Sequence, residues 1–179
     1  MSDPKHLTTA ELEVGLEHIK LSPKNEGPVK LIVRRPERDA REILDQAELH
    51  PDYGLIGDSW RTRSENPRPT NQLTIMNARA IALFAQHKNR WHLAGDQLFV
   101  DLDLSSENLP PGTQLALGAS VIEVSDEPHT GCKKFVARFG VDAMNFANSP
   151  LGRQLNLRGI NAQVIRGGVV RIGDYARKL

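Results

Sequence analysis

Cys132 is the only cysteine of the chain, and it stands in the stretch His129-Thr130-Gly131-Cys132-Lys133-Lys134-Phe135. A lone thiol forms no intrachain disulfide, which leaves two roles open. It is either a small buried hydrophobe or a reactive thiolate able to bind a metal. Its neighbours favour the thiolate. Lys133, Lys134 and Arg138 follow it in a segment with helical spacing, and the β-branched run Ser120 to Val124 precedes it. Lysines and a helix N-terminus both stabilise a thiolate and lower its pKa. The pattern predicts an accessible thiol at a strand-to-helix junction.

Further cations stand downstream at Arg153 and Arg158. If they converge with Lys133, Lys134 and Arg138, they can hold a phosphate beside the thiol through charge-assisted hydrogen bonds; the alternative is a solvated helix face. A thiolate beside a phosphate-holding patch suits a phosphorylated cofactor whose soft metal takes a sulfur ligand. Arg34, Arg35, Arg38 and Arg41 form a second cluster, again either a solvated face or an anion site. Asp58, Glu107 and Asp174 are carboxylates at loop positions, and Asp174 after Gly173 reads as a strand terminator. The six histidines, at 6, 18, 50, 87, 92 and 129, include no i,i+4 pair on a helix and no zinc-ligand spacing with cysteine. His87 and His92 flank Trp91 in what reads as a surface loop. Neither a phosphate-binding G-x-x-x-x-G-K-[ST] loop nor a G-x-S-x-G elbow occurs. His129 is too close in sequence to Cys132 to promise a protease-like base.

The elements that must position these groups belong to a chain of 179 residues, the length of one domain. Charged residues make up 25% with a formal net charge of +1, so no global field draws the protein to nucleic acid or a membrane. Aromatics at 5% argue against base stacking. The polar start Met1-Ser2-Asp3-Pro4-Lys5-His6 predicts no export signal, and no apolar window is long enough to span a bilayer. With a single cysteine, that composition predicts a reducing, cytoplasmic setting.

Thr8-x-x-Glu11 has the form of a capping box, followed by Leu12, Leu16 and Ile19 at helical spacing. The helix is expected to end near Ser22-Pro23, with Asn25 to Pro28 as a turn. Val29 to Val33 reads as a strand. Pro36 and the spacing of Ala40, Ile43, Leu44 and Ala47 predict a second helix from Glu37 to about Leu49. Residues 53–58 read as a glycine turn and 61–69 as a polar loop. Leu73 to Met76 is strand-like and runs into a helix over 77–84. Leu98 to Leu104 alternates as a half-buried strand, with Phe99 as the exception on its polar side. Gln114 to Leu117 and Val121 to Val124 are further strands. Lys133 to about Ala147 is helical with a break at Gly140. Asn161 to Ile165 and Val169 to Ile172 read as a hairpin around Gly167-Gly168. Short strands, glycine turns and a few helices predict a mainly β, α+β fold, a small barrel with helical decoration. A doubly wound α/β sheet is the alternative.

In their order and spacing, several of these segments resemble the MOSC domain, the module at the C-terminus of molybdenum cofactor sulfurases. The segments are Ile19-x-Leu21-Ser22-Pro23, Gly54-Leu55-Ile56-Gly57-Asp58, Ser106-Glu107-Asn108-Leu109, Gly131-Cys132-Lys133-Lys134-Phe135, Arg158-Gly159-Ile160-Asn161 and 168–174. The resemblance runs over a core of about 16–174, with 1–15 as an N-terminal arm or short helix of a single domain 1–179. Three positions depart from the family's habit. Ser59 stands where a basic residue is usual, Ser106 where glycine is common, and Gly131 where proline is frequent.

The resemblance implies a MOSC-type β-barrel and a role with the molybdenum cofactor (molybdopterin) or with sulfur. In family members that reduce N-hydroxylated compounds the cysteine is a molybdenum ligand, a role that falls here on Cys132. Ser106, Asn108, Thr130, Gly131, Lys133, Arg158 and Asn161 become the candidates for contacts to the pterin or its phosphate. Three functions follow. One is a molybdenum-dependent oxidoreductase component that takes electrons from a partner protein. Another is a sulfur carrier that receives a Cys132 persulfide from a donor protein for delivery to a cofactor or metal–sulfur centre. The third is a non-catalytic binding module. These 179 residues hold no pyridoxal-phosphate domain, so desulfuration of cysteine by that chemistry is not expected of them.

Overall fold

The structure, a computed structural model, describes residues 4–179. The first three residues of the expected N-terminal arm lie outside that range. Helix α1 (Thr9–Lys20) begins at the expected capping box: Thr8 accepts from the Glu11 amide, and Glu11 reaches back to the Thr8 amide. This reciprocal pairing satisfies two of the amides that a helix start leaves free. Leu12, Leu16 and Ile19 form its buried face.

The strands are β1 (Glu26–Arg34), β2 (Glu42–Leu44), β3 (Gln46–His50), β4 (Gly54–Leu55), β5 (Leu73–Asn77), β6 (Leu98–Val100), β7 (Gln114–Leu117), β8 (Ser120–Val124), β9 (Ile160–Arg166), β10 (Gly168–Arg171) and β11 (Tyr175–Lys178). Seven of them close a barrel in the order β1-β6-β5-β9-β8-β7-β11, with β11 returning to β1. All neighbours are antiparallel except β5 and β6. Closure leaves those seven strands without a free edge. Strand β2 extends the sheet beyond β1, and β10, β3 and β4 make a separate small sheet. The mixed α+β barrel is the MOSC-type architecture expected from the sequence.

Helices α2 (Ala78–Ala85), α3 (Lys133–Phe139), α4 (Val141–Asn148) and α5 (Pro150–Gln154) complete the chain. Two apolar clusters explain the strand patterns. One fills the barrel with Leu73, Ile75, Leu98, Val100 and Ile122 among others. The other lies between the barrel and the helices, and holds Met76, Phe99, Leu12, Phe84, Phe135 and Phe139. Successive strand residues point to opposite faces. Phe99 therefore points away from the barrel interior but is fully buried, because helices cover that face. Strand β1 changes phase between Val29, inside the barrel, and Leu31, under the helices. A register shift between those residues supplies the change, as a bulge does.

Three local expectations are corrected. Over the span 37–49 the chain forms a loop and then strands β2 and β3, not a helix. Their apolar spacing fits a helix by coincidence: Ile43 is 59% exposed, while Ala47 and Leu49 alternate into the core. Pairing of β2 with β1 and of β3 with β10 overrides the local propensity. The late hairpin is absent too. β9 pairs with β8 and β5, whereas β10 leaves the barrel to pair with β3. Gly168 sits at that departure against the Ala119 backbone, where a Cβ would come within 2.6 Å. Strand β6 also stops at Val100, although Leu102 and Leu104 stay buried beyond it. The expected break at Gly140 is present. That residue, at φ +96°, ends α3 and opens α4, a conformation that glycine adopts without penalty. No helix among the described residues is long and apolar enough to cross a membrane.

Candidate functional site

Residues 125–131 run as a loop from β8 to α3, so Cys132 follows a loop rather than a strand. The barrel and α4 pin this loop. From β9, Asn161 Nδ2 donates to the Glu127 carbonyl at 3.0 Å and the Pro128 carbonyl at 3.3 Å. Gly131 donates its amide to Asn148 Oδ1 at 2.8 Å. Farther along, Phe135 and Phe139 of α3 are driven into the core. With that face inward, the first turn turns outward: Cys132 is the N-cap of α3, and it is exposed together with Lys133 and Lys134. Lys134 Nζ pairs with Asp39 and so ties α3 to the arginine-rich loop after β1.

Behind the loop lies a buried charge cluster. Asp96, with no exposed surface, takes Arg158 Nη1 on Oδ2 at 2.6 Å. Arg158 Nη2 donates to the Ala94 carbonyl at 2.9 Å, and its guanidinium centre lies 5.1 Å from the Phe135 ring centroid. His129 places Nε2 3.3 Å from Asp96 Oδ1. Burial holds the His129 imidazole down at about 4, with Asp96 pulling it up and Arg158 pushing it further down. His129 is therefore neutral near pH 7.

A second buried pair stands nearby. Arg35, at the end of β1, is bidentate to Asp58, with Nε to Oδ2 at 2.9 Å and Nη2 to Oδ1 at 3.0 Å. Asp58 also accepts the Arg35 and Trp60 amides, each at 3.0 Å. The turn that presents it needs Gly57 at φ +85°. The Gly-Leu-x-Gly-Asp segment is thus a device for burying one carboxylate against one guanidinium. Arg63 Nη2 stands 3.6 Å from the same carboxylate but is half exposed.

Two cavities meet at this loop. The first, of about 220 Å³, is walled by Ser106, Thr130, Arg153, Arg158 and Asn161 among others. The second, of about 460 Å³, lies against Arg35, Trp60, Arg63, Arg68 and Thr74. His129 and Asn161 belong to both walls. Glu127, which lines the first cavity, ties down part of the wall of the second by accepting from Arg68 Nη2, from Thr70 Oγ1 at 2.7 Å and from Asn71 Nδ2 at 3.3 Å.

Of the residues singled out in the sequence, the first cavity gathers Ser106, Thr130, Arg158 and Asn161. Arg158 reaches it with its fork already engaged; only Nε lacks a partner. Asn108 is buried elsewhere, bridging the Lys24 and Asp103 carbonyls. Gly131 is committed to Asn148, and Cys132 and Lys133 are outside the walls of both cavities. The arginine cluster at 34–41 divides: Arg35 is buried, Arg34 pairs with Glu42, and Arg38 is exposed. Glu107 is exposed, and Asp174 Oδ2 accepts the Arg171 amide at 2.8 Å, which fits its reading as a terminator. His92 is only partly at the surface, in the 3-10 turn Lys88–Ala94, and burial followed by Arg41 lowers its pKa. Sequence reasoning missed Asp96 and Arg63. Asp96 sits in Ala94-Gly95-Asp96-Gln97, ahead of an apolar strand; a carboxylate so placed is a faint signal without knowledge of Arg158.

The class that fold and site define is a MOSC-like barrel with cation-walled cavities beside an exposed thiol. Solved structures agree on the fold. The YuaD protein from Bacillus subtilis matches over 84% of this chain and 94% of its own, with a TM-score of 0.58 and 15% identity. YiiM from Escherichia coli matches over 85% of this chain and 69% of its own, at 0.56 and 20% identity. A protein described as hypothetical matches over 87% and 68%, at 0.60 and 22% identity. YuaD and YiiM are stand-alone proteins of MOSC type. No family model matches the chain, and no curated protein does.

Proposed function

We propose that the protein binds the molybdenum cofactor and acts as a component of an oxidoreductase, with Cys132 as a ligand of the metal and a partner protein as the source of electrons. One observation carries this reading: on a MOSC-like barrel, an exposed thiol stands two residues beyond Thr130, a wall residue of a cavity walled by Arg153 and Arg158 and joined at His129 to a second one walled by Arg35 and Arg63. The residues fit such a group in two ways. Arg63 and Arg153 are exposed guanidiniums at the cavities, suited to a phosphate. No group of three or more His, Cys, Asp or Glu among the described residues can hold a metal ion by itself. A metal at Cys132 therefore needs most of its ligands from a carrier, as a metal arriving on an organic cofactor has. When bound, the cofactor supplies the redox-active metal. The chain supplies one soft ligand and cationic walls for the phosphate.

The exposure of Cys132 favours a second reading, a sulfur carrier whose persulfide must meet a partner's active site. One experiment separates the two. Wild type and Cys132→Ser are purified from a host that makes the cofactor, and molybdenum is measured beside intact mass. The proposal expects molybdenum near stoichiometry in wild type and little in the mutant, because a hydroxyl is a harder and far less acidic ligand. Molybdenum absent from both removes it. A wild-type mass heavier by one sulfur atom then favours the carrier.

A further inference from the structure

Three buried polar atoms without a partner lie at and behind the wall shared by the two cavities: His129 Nε2 in that wall, Arg158 Nε in the first cavity's wall, and Asp96 Oδ1 behind it. His129 Nε2 and Asp96 Oδ1 lie 3.3 Å apart. Among the described residues, the permanent cations that line the second cavity with His129 are matched with one exception. Behind His129 Arg158 is spent on Asp96, and just after β1 Arg35 is spent on Asp58. Across the second cavity Arg68 is paired with Glu127 of the same loop as His129. Asp126 and Arg153 stand at the rim of the first cavity, and Asn161 beside the ring is neutral. Arg63 is the exception, since Asp58 beside it already holds Arg35. Burial and then the Arg35 charge both hold the Arg63 guanidinium below its ordinary pKa, so its site has positive charge to spare.

We propose that the second cavity is an oxyanion site, in which Arg63 holds the anion and His129 takes up one proton as the anion enters. The imidazolium formed there lies beside the buried Asp96 carboxylate, with Nε2 3.3 Å from Oδ1, on the wall of both cavities. Atoms and charge balance: the anion and one solvent proton enter together, and no covalent bond is made. In the empty site the proton is kept off by burial and by Arg158, so His129 titrates at about 4. A neighbouring anion favours the charged ring and moves that value upward. Affinity for the anion must then rise as pH falls toward the new value, because uptake of a proton on binding and pH-dependent binding are the same linkage. The site recognises the oxyanion, whether free or part of a larger molecule, and does not depend on the identity of the cofactor or on Cys132.

Sulfate is the probe, because it keeps its charge across the range. Calorimetric titration at pH 5.5 and 7.5, in buffers of different ionisation heat, measures affinity and protons taken up. Wild type is expected to bind sulfate more tightly at pH 5.5 by about threefold or more, with net proton uptake. His129→Gln should bind with the same affinity at both values and without uptake; Arg63→Gln should lose most binding at both. Nitrogen NMR of the His129 ring in wild type gives a reading free of any folding defect, and should show the imidazolium appearing at pH 5.5 only with sulfate present. Failure to bind sulfate, binding with no proton uptake, or uptake retained in His129→Gln overturns the proposal. Molybdenum content leaves it untouched, so this test and that of the cofactor fail separately.

Discussion

Behind the cavities, charge is buried and matched, Asp58 against Arg35 and Asp96 against Arg158. At the start of α3, three residues beyond His129, the groups of Cys132, Lys133 and Lys134 stand in water. The first region is held by desolvated, hydrogen-bonded pairs whose partners cannot be removed singly. The second hangs on backbone and on the apolar anchors Phe135 and Phe139, so its polar groups are free to change partners. The contrast teaches where the fold spends its rigidity: on the wall that shapes the cavities, and not on the thiol. A buried pair is weak evidence for net stability, but breaking one is costly because the remaining charge is stranded.

The largest effect therefore belongs to Asp96→Asn. It leaves Arg158 buried over the Phe135 ring without a counter-charge, and takes the carboxylate from His129. A loss of about 3–5 kcal/mol is expected, read as a lowered urea midpoint at unchanged slope. Asp39→Asn removes a half-exposed carboxylate shared by Lys134, Arg38 and Arg138, and serves as the control. If the two variants unfold together, the division between the regions is wrong.

How far these regions were legible in the sequence follows from the kind of interaction each uses. The capping box, the core face of α1, the break at Gly140 and most barrel strands announce themselves locally, through i,i+3 spacing, alternation and glycine. The Glu37–Leu49 helix failed because its apolar residues satisfied two periods at once, and only β1 and β10 decide between them. The β9–β10 hairpin failed for a similar reason: the close passage of Gly168 over Ala119 is a long-range fact. The site was half legible. The thiol and its lysines are one run of sequence, and Ser106, Thr130, Arg158 and Asn161 do meet at one cavity. Asp96 lies 62 residues from Arg158, so its pairing has no local signature.

A smaller effect comes from pH. An unfolded histidine titrates near 6.5 and native His129 at about 4. Above pH 6.5 the ring is neutral in both states and contributes no pH dependence. Between about 6.5 and 4 the unfolded chain binds a proton that the native chain refuses, so stability falls as pH drops through that window, by about 3 kcal/mol in full. Below about 4 both states are protonated and the contribution is spent. Denaturant midpoints of wild type and His129→Gln across this range isolate the effect, with the mutant expected to show a shallower fall. Equal slopes would mean that the loop opens and lets His129 titrate freely, which would make the wall resemble the exposed region.

The smallest effect on stability should come from the residue with the largest expected effect on chemistry. Cys132→Ser exchanges sulfur for oxygen at an exposed N-cap whose side chain makes no capping bond in the wild type. No cavity opens, because the thiol packs against no core. A serine is moreover among the preferred N-cap residues, since its hydroxyl can accept from the free amides of the first turn. The two small terms act in the same direction or cancel, and the expected change is within about 0.5 kcal/mol, as for surface substitutions in general. Thermal and urea midpoints of the metal-free protein check this, and they must be compared without ligand, because a bound cofactor adds stability of its own by mass action. A loss above about 1 kcal/mol would place the thiol inside the packed structure, in the role of a small buried hydrophobe, and would erase the contrast between a rigid cavity wall and a free reactive edge.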